Sequence, residues 1–307
     1  MKIGIIGAGF VGSASAFTLA WSGIAREIML TDINQSKARA EALDISHAMP
    51  FASSCKIYAE EYAALEGADI IIITAGVNQK SGETRTDLLA RNTAVFKQII
   101  RQIMQYTADS IIIVATNPVD IMTAYTVKES KLSPNRVFGT GTILDTARFR
   151  TLLAEHLHLA SQSIHAHVLG EHGDSEVLVW SSAKVGTMPI DEFARVTGYR
   201  LDTEIKNLID DKVRNAAYHI IEGKGATYYG IAGGIARICQ AVKNDENAIF
   251  SISSQLESVE GIKDVCLSLP SIINRHGIRQ VIYPPMSDNE RLLLKNSAAK
   301  IKSFIAE

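Results

Sequence analysis

The first twelve residues constrain this 307-residue chain more than any other stretch. An apolar run, Lys2–Ile6, passes directly into Gly7-Ala-Gly9-Phe-Val-Gly12, and this G-x-G-x-x-G opens a segment with helical patterning, Val11–Ser22. Strand, glycine loop and helix in that order suit a phosphate-binding turn. The glycines permit a tight bend and close backbone approach to a pyrophosphate, and the helix N-terminus adds free N–H groups and a positive dipole end. A second strand candidate, Glu27–Thr31, ends at Asp32, 20 residues beyond Gly12. A lone aspartate is ordinarily a solvated turn acid. At this spacing its carboxylate can accept both ribose hydroxyls of NAD and repels the 2′-phosphate of NADP, so an NAD site is expected.

The alternation continues. Ile70–Thr74, Ser110–Ala115 and Arg136–Phe138 are further strand candidates, and their Ile/Val content suits parallel strands buried on both faces. Helical patterns separate them over Ser36–Ala48, Asp87–Tyr106 and Val119–Ser130. Such βαβα order predicts an α/β fold, a Rossmann doubly wound parallel sheet over residues 1–141. Residues 142–307 read differently, as a mixed α+β substrate domain. A helix is expected over Ile143–His156, strands over Ser163–Leu169 and Glu176–Val185, and helices over Thr203–Glu222 and Ala226–Val242. A hairpin-like stretch, Ala248–Leu269, and a helix from Asp288 complete the chain.

Composition excludes several classes. A formal charge of -2 gives no reason to expect a nucleic-acid or membrane-surface partner, so any anionic ligand must be held by local charge. The longest apolar runs, such as Ile70–Ile73 and Ile111–Ala115, are too short to span a bilayer. Cys55, Cys239 and Cys266 lie far apart without a C-x-x-C pair, which suits neither a disulfide framework nor a zinc site, and no metal is expected. A strand and glycine loop stand where a signal peptide would need its apolar core, so the cytoplasm is the expected compartment.

Four later stretches bear on chemistry: Asn78-Gln-Lys-Ser-Gly-Glu-Thr-Arg85, Thr116-Asn-Pro-Val-Asp120, Leu144-Asp-Thr-Ala-Arg148 and Gly170-Glu-His-Gly-Asp174. In this order and at these separations the chain resembles the lactate/malate dehydrogenase family over essentially its whole length, and within it the bacterial lactate-forming branch. The resemblance implies an NAD-dependent L-2-hydroxy-acid dehydrogenase that interconverts pyruvate and lactate, a step of fermentation that follows glycolysis. Malate and 2-hydroxyisocaproate-type dehydrogenases are the rival enzymes, and an NAD(H)-binding sensor on the same fold is the rival outside catalysis.

The residues make chemical sense in those roles. Oxidising a secondary alcohol needs a base for the hydroxyl proton, and the reverse reaction needs the same group as acid; histidine, with an ordinary pKa of about 6.5, serves both. His172 matches the family's acid–base residue and Asp145 the carboxylate that orients it. Arg148 matches the partner of the substrate carboxylate, a task that suits a planar, permanently charged guanidinium. Its spacing of three from Asp145 puts both on one helix face, where the commonplace alternative is an intrahelical ion pair. Arg85 matches a loop arginine that polarises the reacting carbonyl, and Asn117 a residue contacting substrate and cofactor. Gln79 matches the position facing the substrate's side chain; a neutral amide there leaves a second carboxylate unpaired, which disfavours oxaloacetate. Thr227 matches a residue lining the substrate pocket and Ile231 one packing on the nicotinamide. Val11, Lys37, Tyr62, Gly76, Val77, Thr116 and Thr140 complete the cofactor contacts that the resemblance implies. Arg150 and His165 match positions that bind fructose 1,6-bisphosphate in activated bacterial relatives, at a subunit interface, which implies a homotetramer.

Overall fold

The computed structural model describes residues 1–76 and 85–305, without the side chains of 85–89 and 305. Val77 and Gln79, and the side chain of Arg85, lie outside the described residues.

β1 (Lys2–Ile6), α1 (Phe10–Trp21), β2 (Glu27–Thr31) and α2 (Gln35–Ala48) occupy nearly the spans that periodicity predicts. β3 (Lys56–Ala59) is an addition. Its sequence, Lys-Ile-Tyr-Ala, has no β-branched run, and it owes its extended form to pairing with β2 at the sheet edge. β4 (Ile70–Ile73), α3 (Arg85–Tyr106), β5 (Ile111–Val114), α4 (Val119–Ser130) and β6 (Val137–Gly139) complete a parallel array in the order β3-β2-β1-β4-β5-β6. Strand order reverses between β1 and β4, so a crevice opens beyond their carboxyl ends. Strand pleating sorts the apolar side chains onto two faces. Ile70 and Ile72 pack with α1, Ile71 and Ile73 with the face that holds Phe96, Ile100 and Ile103 of α3, and all are buried.

The second half contributes α5 (Ile143–Leu157), β7 (Ile164–His165), β8 (Val168–Leu169), β9 (Val177–Leu178), β10 (Lys184–Val185) and β11 (Met188–Pro189). α6 (Ile190–Thr197), α7 (Thr203–Lys224), α8 (Tyr229–Asn244), β12 (Ala248–Val259), β13 (Ile262–Asn274), β14 (Gly277–Val281) and α9 (Asp288–Ile305) follow. The expected strands Ser163–Leu169 and Glu176–Val185 are each two short ones. Between β9 and β10 the Glu290 carboxylate accepts the Ser181 N–H at 3.0 Å and also the Ser181 hydroxyl, which draws the chain out of extension. β12–β14 do not stand apart from the parallel array. β12 joins β6 antiparallel through Ser253↔Gly139, which gives one nine-stranded sheet. Among the described residues no helix is long and apolar enough to cross a membrane, no group of His, Cys, Asp and Glu is arranged for a metal, and the three cysteines are unpaired thiols.

Candidate active site

The glycine loop turns sharply from β1 into α1. The Gly7 N–H donates to the Thr31 carbonyl at 2.7 Å, and its φ of +107° is one that only glycine adopts without strain. At Gly12 a Cβ would fall 1.9 Å from the Gly7 carbonyl oxygen, so the turn closes only around a bare Cα. Gly9 caps α1, and a Cβ there would meet nothing within 4 Å. Gly7 and Gly12 thus serve the fold, whereas Gly9 leaves open space at a helix N-terminus where an anion can approach.

Asp32, Gly76 and Thr116 lie at the same end of the sheet as the glycine loop. Asp32 follows β2; its Oδ2 accepts the Ala8 N–H at 2.7 Å and its Oδ1 the Asn34 N–H at 2.8 Å, which joins the acid to the glycine loop. Tyr62 stands in the field of Asp32: burial, with that charge, pushes its phenol up to about 12. Lys37 sits exposed in the first turn of α2, its N–H on the Asn34 side chain at 3.0 Å. Val11 is half-buried in α1. At the end of β4, Gly76 lies so close to Thr116 that a Cβ would come within 2.6 Å of its methyl group, while Thr116 Oγ1 donates to the Ala75 carbonyl at 2.7 Å. Asn117 is exposed just beyond β5, and Thr140 is buried just beyond β6 with its N–H on the Val114 carbonyl at 2.8 Å. Thr227 and Ile231 stand half-buried at the junction of α7 and α8, and Ile231 packs against the sheet core. These positions fit a dinucleotide: an open helix N-terminus, close backbone approach, and an acid at the second strand's end.

Two of the catalytic candidates, His172 and Asp145, form one hydrogen-bonded group with Arg148. Asp145, in the first turn of α5, gives one carboxylate oxygen to each neighbour. Oδ2 meets His172 Nδ1 at 2.5 Å, and Oδ1 accepts from Arg148 Nη1 at 2.7 Å. The i,i+3 ion pair that spacing allowed is therefore made, and the same carboxylate also orients the imidazole. Burial opposes charge on the His172 ring, but the Asp145 charge and hydrogen bond outweigh it, with Asp120 and Glu176 assisting, and push its pKa up to about 9. Burial likewise works to raise Asp145, and the charges of His172 and Arg148 hold it below the usual carboxylate range. The His172 side chain remains 25% exposed and Arg148 13%, so both can meet a small ligand, whereas Asp145 at 3% acts only through them.

The loop that carries His172 is fastened from several sides. Its N–H donates to the Asp120 carboxylate of α4 at 2.8 Å. Glu171 accepts from Lys300 at 2.7 Å and its N–H donates to Ser297 at 2.8 Å, both residues of α9. From α7, Arg214 donates to the Asp174 carbonyl at 3.0 Å and the Tyr218 hydroxyl reaches the Asp174 carboxylate at 3.1 Å. The sequence assigns these side chains no role, and no spacing rule links α4, α7 and α9 to this loop; the signal it carries is the presence of Asp120, Glu171 and Asp174 inside two of the four motifs.

Arg150 and His165 lie apart from that group. Arg150, half-buried in α5, donates to the Ser161 carbonyl at 3.4 Å; His165 is exposed in β7. Burial, aided by both of their charges, pushes the neighbouring His167 down to about 4.

Known proteins resemble the chain over its whole length. Residues 1–139 match the family model described as lactate/malate dehydrogenase, NAD binding domain, and residues 142–307 that described as lactate/malate dehydrogenase, alpha/beta C-terminal domain. The L-lactate dehydrogenase of Thermus aquaticus is 50% identical over 302 residues, 98% of this chain and 97% of its own. That of Allorhizobium ampelinum is 49% identical, covering 99% of this chain and 98% of its own. Among solved structures, a lactate dehydrogenase from a Medee basin deep-sea metagenome library superposes with a TM-score of 0.97 at 39% identity, over 99% of this chain and 98% of that one. The minor L-lactate dehydrogenase of Enterococcus mundtii, in its ligands-bound form, gives 0.96 at 40% identity, over 99% and 97%. By sequence over its whole length and by fold, the chain belongs to the lactate/malate dehydrogenase family.

Proposed function

We propose that the chain is an NAD-dependent L-lactate dehydrogenase, with residues 1–141 holding the cofactor and 142–307 completing the substrate site. The observation that carries this reading is the Asp145 carboxylate shared between the His172 imidazole and the Arg148 guanidinium. Arg148 spends one N–H on Asp145, and its other donors can take the carboxylate of pyruvate. That contact fixes the keto oxygen towards His172. With Nδ1 committed to Asp145, the proton on Nε2 is the one to be donated as the carbonyl becomes an alcohol. The glycine loop and Asp32 would hold NADH, which when bound would supply the hydride. Asp145 stabilises the imidazolium before the transfer and keeps the ring in place after it; in lactate oxidation the neutral ring accepts the hydroxyl proton instead. The family resemblance assigns Arg85 to polarising the keto oxygen and Gln79 to the substrate's methyl side, with Asn117 and Thr227 as further substrate contacts.

The buried Asp145 and tied-down loop also support a catalyst over a sensor, because a binding protein needs no imidazole held protonated. The test is NADH consumption with pyruvate, oxaloacetate and a branched 2-oxo acid in parallel. Pyruvate should give the highest kcat/KM; a preference for either rival substrate would overturn the assignment.

A homotetramer in the cytoplasm, activated by fructose 1,6-bisphosphate at Arg150 and His165, completes the reading. The nearness of these two groups to His167 supports a phosphate seat. Adding the sugar bisphosphate should lower the pyruvate KM; an unchanged KM removes that site.

A further inference from the structure

The loop carrying His172 also contains a buried acid that the reaction above leaves unused. Glu176 is 4% exposed, and its Oε1 is buried with no hydrogen-bond partner among the described residues. Its N–H closes a turn onto the Gly173 carbonyl at 3.0 Å. Charges from two helices and its own loop act on it: Asp145 and Arg148 of α5, His172, and Arg214 of α7. Arg214 is already engaged by Asp210 at 2.9 Å and by the Asp174 carbonyl. Burial, with the Asp145 charge, pushes the Glu176 carboxyl up to about 8, against the pull of the three cations.

Charge balance shows why that matters. With Arg214 already balanced by Asp210, the two remaining cations near neutral pH, His172 and Arg148, face two carboxylates, Asp145 and Asp120; burial pushes Asp120 up only to about 6. A third carboxylate would turn a balanced site negative, and the proposed substrate is itself an anion. We propose that Glu176 is a specificity-determining positioning residue, held as the neutral acid in the loop of His172 so that Arg148 stays available to a substrate carboxylate. This rests on the reading of Arg148 and His172 as the substrate-facing pair. When Glu176 loses its proton to solvent, its new charge draws on Arg148 and His172 and repels the 2-oxo acid. One added charge several ångströms away in a half-wet site weakens capture about tenfold.

Two measurements test this. The pyruvate KM and kcat are followed between about pH 6 and 10 in the wild type and in Glu176→Gln, whose amide cannot ionise. Across the Glu176 titration the wild-type KM should rise about tenfold more than the variant's, while the rise of KM and the fall of kcat that come from loss of the His172 proton are common to both. Infrared spectra of the wild type should show a protonated-carboxyl C=O band at neutral pH that is lost as pH rises, and that is absent from Glu176→Gln. Equal KM profiles, or no such band, would overturn the proposal. If pyruvate is not turned over at all, the substrate reading fails, and the infrared titration of the wild type alone still decides whether Glu176 holds its proton.

Discussion

Replacing Asp145 with asparagine isolates the interaction on which the chemistry turns. The side chain keeps its shape and loses its charge, 2.5 Å from His172 Nδ1. In the wild type the imidazole rises from 6.5 to about 9, although burial works in the opposite direction. That displacement is worth roughly 3 kcal/mol of preference for the protonated ring. Without the Asp145 charge, burial has only Asp120 and Glu176 against it, and the pKa should fall to 6.5 or lower. Pyruvate reduction needs the protonated ring, so activity is present below this pKa and lost as pH rises through it. At about pH 7.5 the wild-type ring is almost fully protonated, and the variant's less than about one part in ten. Reduction kcat/KM should therefore drop at least about tenfold, and the alkaline limb of its pH profile should move down by at least about two pH units. Lactate oxidation, which needs the neutral ring, should suffer less from protonation at that pH. The assay is kcat/KM for pyruvate from pH 5 to 10, with thermal melting to verify folding. An alkaline limb within half a unit of the wild type's would refute the assignment of Asp145 as the source of the His172 shift.

Further outcomes follow from the same geometry. Gly12→Ala puts a methyl 1.9 Å from a backbone oxygen and should destabilise the protein by about 1–3 kcal/mol or more, seen as a lowered Tm. Gly9→Ala adds a methyl to open space, so it should leave Tm almost unchanged and weaken NADH binding by calorimetry. Arg148→Lys keeps the charge but loses the planar fork, and should raise the pyruvate KM by roughly ten- to a hundredfold with a smaller change in kcat. His167 is pushed down to about 4, so the unfolded chain binds its proton more readily. Stability should then be full above about pH 6.5 and decline towards pH 4, by about 2.5 kcal/mol at pH 4.5. Urea denaturation at pH 7 and 4.5 should find that decline reduced in His167→Gln. Gln79→Arg should shift the ratio of specificity constants towards oxaloacetate, because it pairs the second carboxylate.

The parts of this molecule written in local pattern were legible before its coordinates. Lys2–Ile6 with its glycine loop, the Asp32 spacing, and Val119–Ser130 follow from residue order alone, since each depends on neighbours close in sequence. Edge strands were not legible: Lys56–Ala59 and Gly277–Val281 carry mixed polar and apolar residues and become strands through the partner beside them. The Asp145–Arg148 contact could be foreseen from an i,i+3 spacing, whereas the reach from Asp145 to His172, 27 positions away, rested on resemblance. The clamp from Asp120 to the His172 amide spans 52 positions and the one from Arg214 to Asp174 spans 40. No periodicity encodes such tertiary contacts. Glu176 is the sharpest instance, because in sequence it is one more acid beside a polar stretch and in the fold it is a buried carboxyl on the loop of the reacting group.

A crystal structure of the protein with NADH and an unreactive 2-oxo acid mimic such as oxamate examines the core of the account. His172 Nε2 should lie within about 3 Å of the carbonyl oxygen, with Nδ1 still on Asp145 and the Arg148 guanidinium on the ligand's carboxylate. A ligand whose carboxylate rests elsewhere, or whose carbonyl points away from His172, would contradict it.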